Sequence, residues 1–188
     1  MMTERRETGN LKSRESVAKA REEVLESVRG KCINSALVNG IITAYQIALY
    51  RTLGAAANAM SQMLISELGD SLLEYVDKIL NTKDHEDPLK SVLDAFQELG
   101  IAKDVTLEQP DENTWKFVIK DSVFKPTHSM LKQRGITSFT LSPEALLIAA
   151  IVRKGLREHG RGNERVKVEA MIEDSILVVT VKKIRALR

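Results

Sequence analysis

The apolar and polar positions divide the chain into segments of different period. Residues 13–29 carry Val17, Ala20, Val24, Leu25 and Val28 as one narrow stripe, which predicts an amphipathic helix stopped by Gly30. Residues 35–80 contain no proline and read as helical throughout. Unbroken, that helix would span roughly 70 Å, too long for a compact domain of this size. A break is therefore expected near Thr52–Gly54, with one helix over about 35–52 and another over about 55–80. The second opens on small residues, Gly54 to Ala59, where another backbone can approach closely. Met60, Met63, Leu64, Leu68, Leu72 and Val76 then recur at helical spacing. Methionine adapts to irregular space, so this face suits either a core or the wall of a cavity.

Past a charged loop at 81–87, Asp87-Pro88 supplies a cap and a first-turn proline. The helix over 88–99 turns Leu89, Val92, Leu93 and Phe96 inward and Lys90, Asp94 and Glu98 outward, and Gly100 ends it. Two strands follow, 104–109 and 114–122, joined by a turn at Pro110–Asn113. Trp115, Phe117 and Ile119 share one face of the second strand, with Lys116 and Lys120 opposite. Residues 123–141 read as a long connection, a length that is often functional. Ser142-Pro143-Glu144 starts another helix. Leu146 to Val152 is apolar without interruption, so that helix should be buried on most sides; His159 and Gly160 close it. A last hairpin runs over 165–172, turns at 173–175 and returns over 176–184. The expected fold is α+β: N-terminal helices, then two helix–strand–strand units forming a four-stranded antiparallel sheet with helices packed on it. Residues 1–34 form an arm, and 35–188 a single domain.

Charge sharpens this picture. Between Lys31 and Glu67 the one charged side chain is Arg51, in a chain that is 29% charged. Such a stretch must be covered by protein, by lipid or by an apolar molecule. It is interrupted by Asn34, Asn39, Thr43, Gln46, Asn58, Ser61 and Gln62, which argues against a membrane span. Residues 151–188 carry ten basic and five acidic groups, so the C-terminal end is basic and could meet an acidic protein partner. No aromatic residue is interleaved with those charges, so nucleic acid is not expected. The single cysteine, Cys32, excludes an intramolecular disulfide. The first ten residues lack the apolar run of a secretory leader, and a cytoplasmic protein is expected.

Three stretches resemble the vinyl-reductase-type small-molecule-binding domain. It shares a fold group with haem-based nitric-oxide sensors and the paired subunits of the TRAPP trafficking complex. They are Leu49-Tyr-Arg-Thr-Leu-Gly54 with Glu67-Leu-Gly69; Leu93 to Gly100 leading to Val105 and Lys120–Phe124; and Ser142 to Ala150 leading to Val166–Ala170. Together they span roughly residues 40–184, through the order of elements rather than identity. The resemblance implies a homodimer enclosing an apolar cavity. Many such domains carry cysteines in the long loop and last hairpin, and this chain has none there. A metal or iron–sulfur role is therefore not implied, and haem is not expected.

Candidate chemistry is sparse. His85, His128 and His159 fall in different elements, with no metal-ligand spacing. His128, in the long connection, is kept as a candidate ligand contact; a hydrogen-bonded or surface histidine explains it more simply. Cys32 precedes a helix, a position that lowers a thiol pKa, although a buried inert thiol accounts for it too. Arg51 either pairs with Asp70, Glu67 or a carbonyl, or anchors the carboxylate of an apolar ligand. No pair of titratable groups at catalytic spacing is found, and no catalytic residue is assigned. The sequence thus predicts a non-enzymatic, homodimeric domain binding an apolar or lipid-like small molecule. Its candidate site is Arg51, Met60, Met63, Leu64, Trp115, Phe117, Phe124, His128, Met130 and Phe139. A dimeric interaction adaptor without a ligand is the alternative.

Overall fold

The computed structural model describes residues 34–54, 56–79, 88–158 and 165–184. The predicted helix over 13–29, Cys32, His85 and His159 lie outside them. The described elements run α1 (Ser35–Leu53), α2 (Ala56–Ile79), α3 (Pro88–Glu98), β1 (Ala102–Asp111) and β2 (Thr114–Ser122). They continue as α4 (Lys125–Gln133), α5 (Pro143–Glu158), β3 (Arg165–Glu173) and β4 (Ile176–Ile184). The fold is α+β. The sheet is antiparallel throughout, in the order β1-β2-β4-β3.

The expected helix break is present. Asn34 caps α1 by accepting the Ala36 N–H at 2.8 Å. Gly54 ends it with φ 54°, a conformation that costs glycine little, and its N–H bonds to the Tyr50 carbonyl. Ser142 begins α5 as expected, its Oγ accepting the Ala145 N–H at 3.2 Å. The last hairpin turns through Asp174 and Ser175, both at positive φ, as a two-residue turn between right-twisted strands requires.

The helices cover one face of the sheet. Phe117, Ile119, Val168, Leu177, Val179 and Val181 point into that layer and are essentially inaccessible to solvent. α5 packs against β3, α3 against β1, and α2 lies over α5. Ala145 and the run Leu147–Val152 are buried, so α5 is the central helix of the core. Its neighbour approaches closely at Gly69 of α2, where an added Cβ would stand 3.8 Å from the Ala150 Cα.

Two local readings are corrected. The connection 123–141 contains α4, with a proline in its first turn. Its buried side chains are Thr127, His128 and Leu131, so it has no apolar stripe from which a helix could be read. The first hairpin also turns later than expected. β1 runs through Pro110 to Asp111, with a register shift between Glu108 and Asp111, and the turn is Glu112-Asn113. β1 is an edge strand, where a residue without an N–H is tolerated.

Candidate functional site

α1 is inverted relative to an ordinary surface helix. Its buried residues are the polar Asn39, Thr43 and Gln46. Its exposed residues include Leu37 at 59%, Ile41 at 48% and Tyr45 at 75%. The reason lies in what α1 covers. Its inner side rests on the main chain around α4, where carbonyls and amides need partners away from water. Asn39 donates from Nδ2 to the Val123 carbonyl at 3.0 Å and accepts the Thr127 N–H and Oγ1 through Oδ1. Gln46 Nε2 donates to the Leu141 carbonyl at 3.1 Å, and the Tyr50 hydroxyl donates to the Ser138 carbonyl at 3.0 Å. Positions 39, 46 and 50 therefore form a polar ladder down the inner face, while the opposite face is left apolar. No charged side chain lies on α1 before Arg51 in its last turn.

Beside that outward face is an apolar pocket of about 400 Å³. Ile42, Tyr45 and Gln46 of α1 form one wall and Leu72 of α2 another. Leu99, Ile101 and Phe124 contribute from the ends of α3, β1 and β2. Leu141, Pro143, Leu146 and Leu147, at the start of α5, complete the lining. Tyr45 and Leu99 are both exposed, so the pocket opens onto the same surface as the α1 stripe. Among the described residues that line it, none is charged. Such a space suits an uncharged or weakly polar apolar molecule.

A buried polar cluster lies nearby in the chain. Glu144, in the first turn of α5, is fully buried; its Oε1 accepts the Ser122 Oγ–H at 2.5 Å and stands 3.3 Å from His128 Nε2. Ser122 Oγ in turn accepts the Phe124 N–H at 3.0 Å. The His128 ring meets Phe139 edge-on, with centroids 5.5 Å apart. Serine and histidine both face the glutamate rather than each other, so this is not a nucleophile–base relay. It joins the end of β2, α4 and the start of α5. Among the described residues, no group of three or more His, Cys, Asp or Glu gathers to hold a metal.

The sequence-derived candidates fall in several places. Phe124 lines the apolar pocket. Phe117, Phe139 and Trp115 are buried in the core, with Lys183 Nζ 4.7 Å from the Trp115 ring centroid. Leu64 is partly buried against the same core, and Met60 is half-buried on α2. Met63 is exposed on α2 and lines a different groove. His128 belongs to the Glu144 cluster, Met130 is exposed on α4, and Arg51 is exposed at the end of α1, where a cation complements the helix dipole. These residues do not meet in one cavity. Most of the pocket's lining comes from residues that helix periodicity did not single out. The uncharged stretch already held three of them, Ile42, Tyr45 and Gln46.

The layout defines a class: an α+β domain with helices on one face of a four-stranded antiparallel sheet and an inverted helix at the rim of an apolar pocket. No family model matches the chain. It is 41% identical over 162 residues to the uncharacterized protein MJ0312 of Methanocaldococcus jannaschii, covering 80% of this chain and 79% of that protein, and it belongs to the same family. Among solved structures it is similar to a trafficking protein particle complex subunit 3 from Naegleria fowleri covalently bound to palmitic acid. That match has 17% identity and a TM-score of 0.35, over 93% of this chain and 96% of the other. So loose a superposition transfers neither the acyl group nor the complex to this chain. Among the described residues, no helix is long and apolar enough to cross a membrane.

Proposed function

We propose that this chain is a non-enzymatic domain that binds an apolar or lipid-like small molecule and acts as a homodimer. The observation that carries this reading is the continuity of two apolar features. The outward stripe of α1 runs directly into the mouth of the 400 Å³ pocket through Tyr45. An apolar stripe left in water is unfavourable, and contiguous apolar surface of this kind marks a binding face. A second copy meeting the first along α1 would bring uncharged surface against uncharged surface, without like-charge repulsion. The vinyl-reductase-type resemblance of residues 40–184 supports the same reading. Phe124 is the sequence-derived candidate that lines this pocket.

Nile red, an uncharged apolar dye, tests the pocket. It should bind saturably with a blue-shifted emission. Leu99→Arg, at the exposed rim, should weaken it at least about tenfold while leaving the melting temperature close to that of the unmodified chain. Absence of saturable binding, or equal binding by the variant, would remove the pocket from the account. The adaptor reading rests on the α1 stripe alone. It gains if the protein is dimeric and takes up no apolar probe.

A further inference from the structure

The pocket beside α1 has one polar feature that its apolar lining leaves unexplained. Gln46 forms part of the wall and is only 7% exposed. The orientation of its amide is set, because Nε2 donates to the Leu141 carbonyl at 3.1 Å. The nitrogen is thereby committed, and Oε1 is the other end of the same planar group. Among the described residues, nothing donates a hydrogen bond to that oxygen, and it is closed to solvent. A buried carbonyl without a donor is unfavourable, and folded proteins leave few of them. Asn39, two turns earlier on the same face, shows the difference. Its Nδ2 donates to the Val123 carbonyl, and its Oδ1 accepts both the N–H and the hydroxyl of Thr127. The amide oxygen that faces α4 is satisfied twice, while that of the pocket-lining residue is not satisfied at all.

An acceptor in this position selects for a donor. Among the described lining residues the other polar side chain is Tyr45, which stands at the exposed rim, and none is charged. A carboxylate entering the pocket would set oxygen against oxygen with no cation beside it. An ammonium group would be stripped of water with no counter-charge. A plain hydrocarbon would leave Oε1 as it is. A hydroxyl brings one O–H donor and no net charge. Gln46 is buried while Tyr45 and Leu99 are exposed, so the acceptor belongs to the inner end of the pocket and the apolar rim to its mouth.

We propose, resting on the reading of this pocket as a site for an apolar molecule, that its ligand is an uncharged hydrocarbon bearing a single hydroxyl, a long-chain alcohol in the simplest case, and that it enters hydroxyl first. The O–H donates to Gln46 Oε1. The chain lies along Ile42, Leu72, Phe124 and Leu146, and its far end leaves between Tyr45 and Leu99. The last torsion of a glutamine side chain is broad, so a small turn of the amide presents the oxygen to the pocket.

Displacement of Nile red from the full chain tests this with four compounds of similar length: 1-decanol, 1-methoxynonane, decanoate and decylammonium. The ether accepts hydrogen bonds and cannot donate, and burial alone favours it over the more polar alcohol. 1-Decanol should nevertheless bind at least about tenfold more tightly than the ether and than either ion. Gln46→Met keeps the side-chain length and deletes the acceptor. It should bring 1-decanol to the affinity of the ether and leave the ether within about twofold of its affinity for the unmodified chain. With carbon-13-labelled glutamine, 1-decanol should move the Gln46 side-chain carbonyl resonance downfield and the ether should not. That readout uses the unmodified chain and needs no variant to fold. Equal displacement by alcohol and ether, or decanoate binding as tightly as 1-decanol, overturns the proposal and leaves the apolar pocket standing. Nile red that fails to bind removes the pocket itself, and this proposal with it.

Discussion

The side-chain amide of Gln62 binds the main chain of Val168 in both directions, Nε2 donating to the carbonyl and Oε1 accepting the N–H at 3.1 Å. Val168 lies on β3, an edge strand, and Gln62 on α2, so one glutamine does what a neighbouring strand would do. Phe139 adds to the cover by donating its N–H to the Ala170 carbonyl at 2.9 Å. The middle of the edge is thus covered at Val168 and Ala170 without another strand, which reduces a template for unwanted pairing.

Replacing Gln62 by Leu keeps the volume and deletes both bonds. The Val168 amide and carbonyl would be left without partners beside a helix that still excludes water. The expected loss is about 1–3 kcal/mol. Urea unfolding measures it, and amide hydrogen exchange at Val168 should accelerate more than exchange at the central strand β4.

The Ser122–Glu144–His128 cluster should behave as a unit. Glu144→Ala removes the acceptor of the buried Ser122 hydroxyl and the carboxylate beside His128 Nε2, and opens a small void, so the expected destabilisation is about 3 kcal/mol. Ser122→Ala deprives both Glu144 and the Phe124 N–H of a partner, at about 1–2 kcal/mol. Combining the two should cost less than their sum, because the Ser122–Glu144 bond is lost only once. Additive losses in a double-mutant cycle would show that the side chains act independently.

Gly69 sits inside α2 where a Cβ would meet Arg153 Nη1 at 3.5 Å and the Ala150 Cβ at 3.9 Å, ordinary contact distances. Gly69→Ala therefore gains helix propensity without a clash, and the chain should become more stable by about 0.5–1 kcal/mol. A lower melting temperature would mean that the two helices lie closer than this packing allows.

Asp111 closes the first hairpin. Its carboxylate accepts the Asn113 N–H at 2.8 Å. That bond, with a side-chain bond from Thr114, holds its pKa below the usual carboxylate value. A folded pKa below the unfolded one means that the contribution is complete above the unfolded value and is lost as pH falls through the folded one. The hairpin should therefore loosen only below about pH 4. An NMR titration should place the Asp111 midpoint below the ordinary carboxylate value, and Asp111→Asn should remove that acid-dependent step.

The sequence carried the helix break, the α5 cap and the two faces of β2 because each depends on local chemistry: a glycine, a serine before a proline, a strict alternation. α4 was hidden because its buried side chains include Thr127 and His128, which do not look like the inside of a helix. The direction of α1 was hidden for a related reason. Its polar side chains, Asn39, Thr43 and Gln46, lie on the face that an ordinary surface helix would turn to water, so the pattern within α1 points the opposite way. Only the carbonyls of Val123, Ser138 and Leu141, supplied by distant parts of the chain, make Asn39, Gln46 and Tyr50 the inward side. The pocket is likewise a tertiary property. Its walls come from α1, α2, α5 and the ends of α3, β1 and β2, and no periodicity within one segment could have gathered them.

Native mass spectrometry of the gently purified full chain tests the central claim most directly. The account predicts a species at twice the 21.0 kDa chain mass, carrying an apolar adduct that dissociates on collisional activation. Ile41→Lys on the outward stripe of α1 should convert it to the monomer. A bare monomer from the unmodified chain, with no adduct and no change on introducing the lysine, would contradict both the paired α1 faces and the occupied pocket.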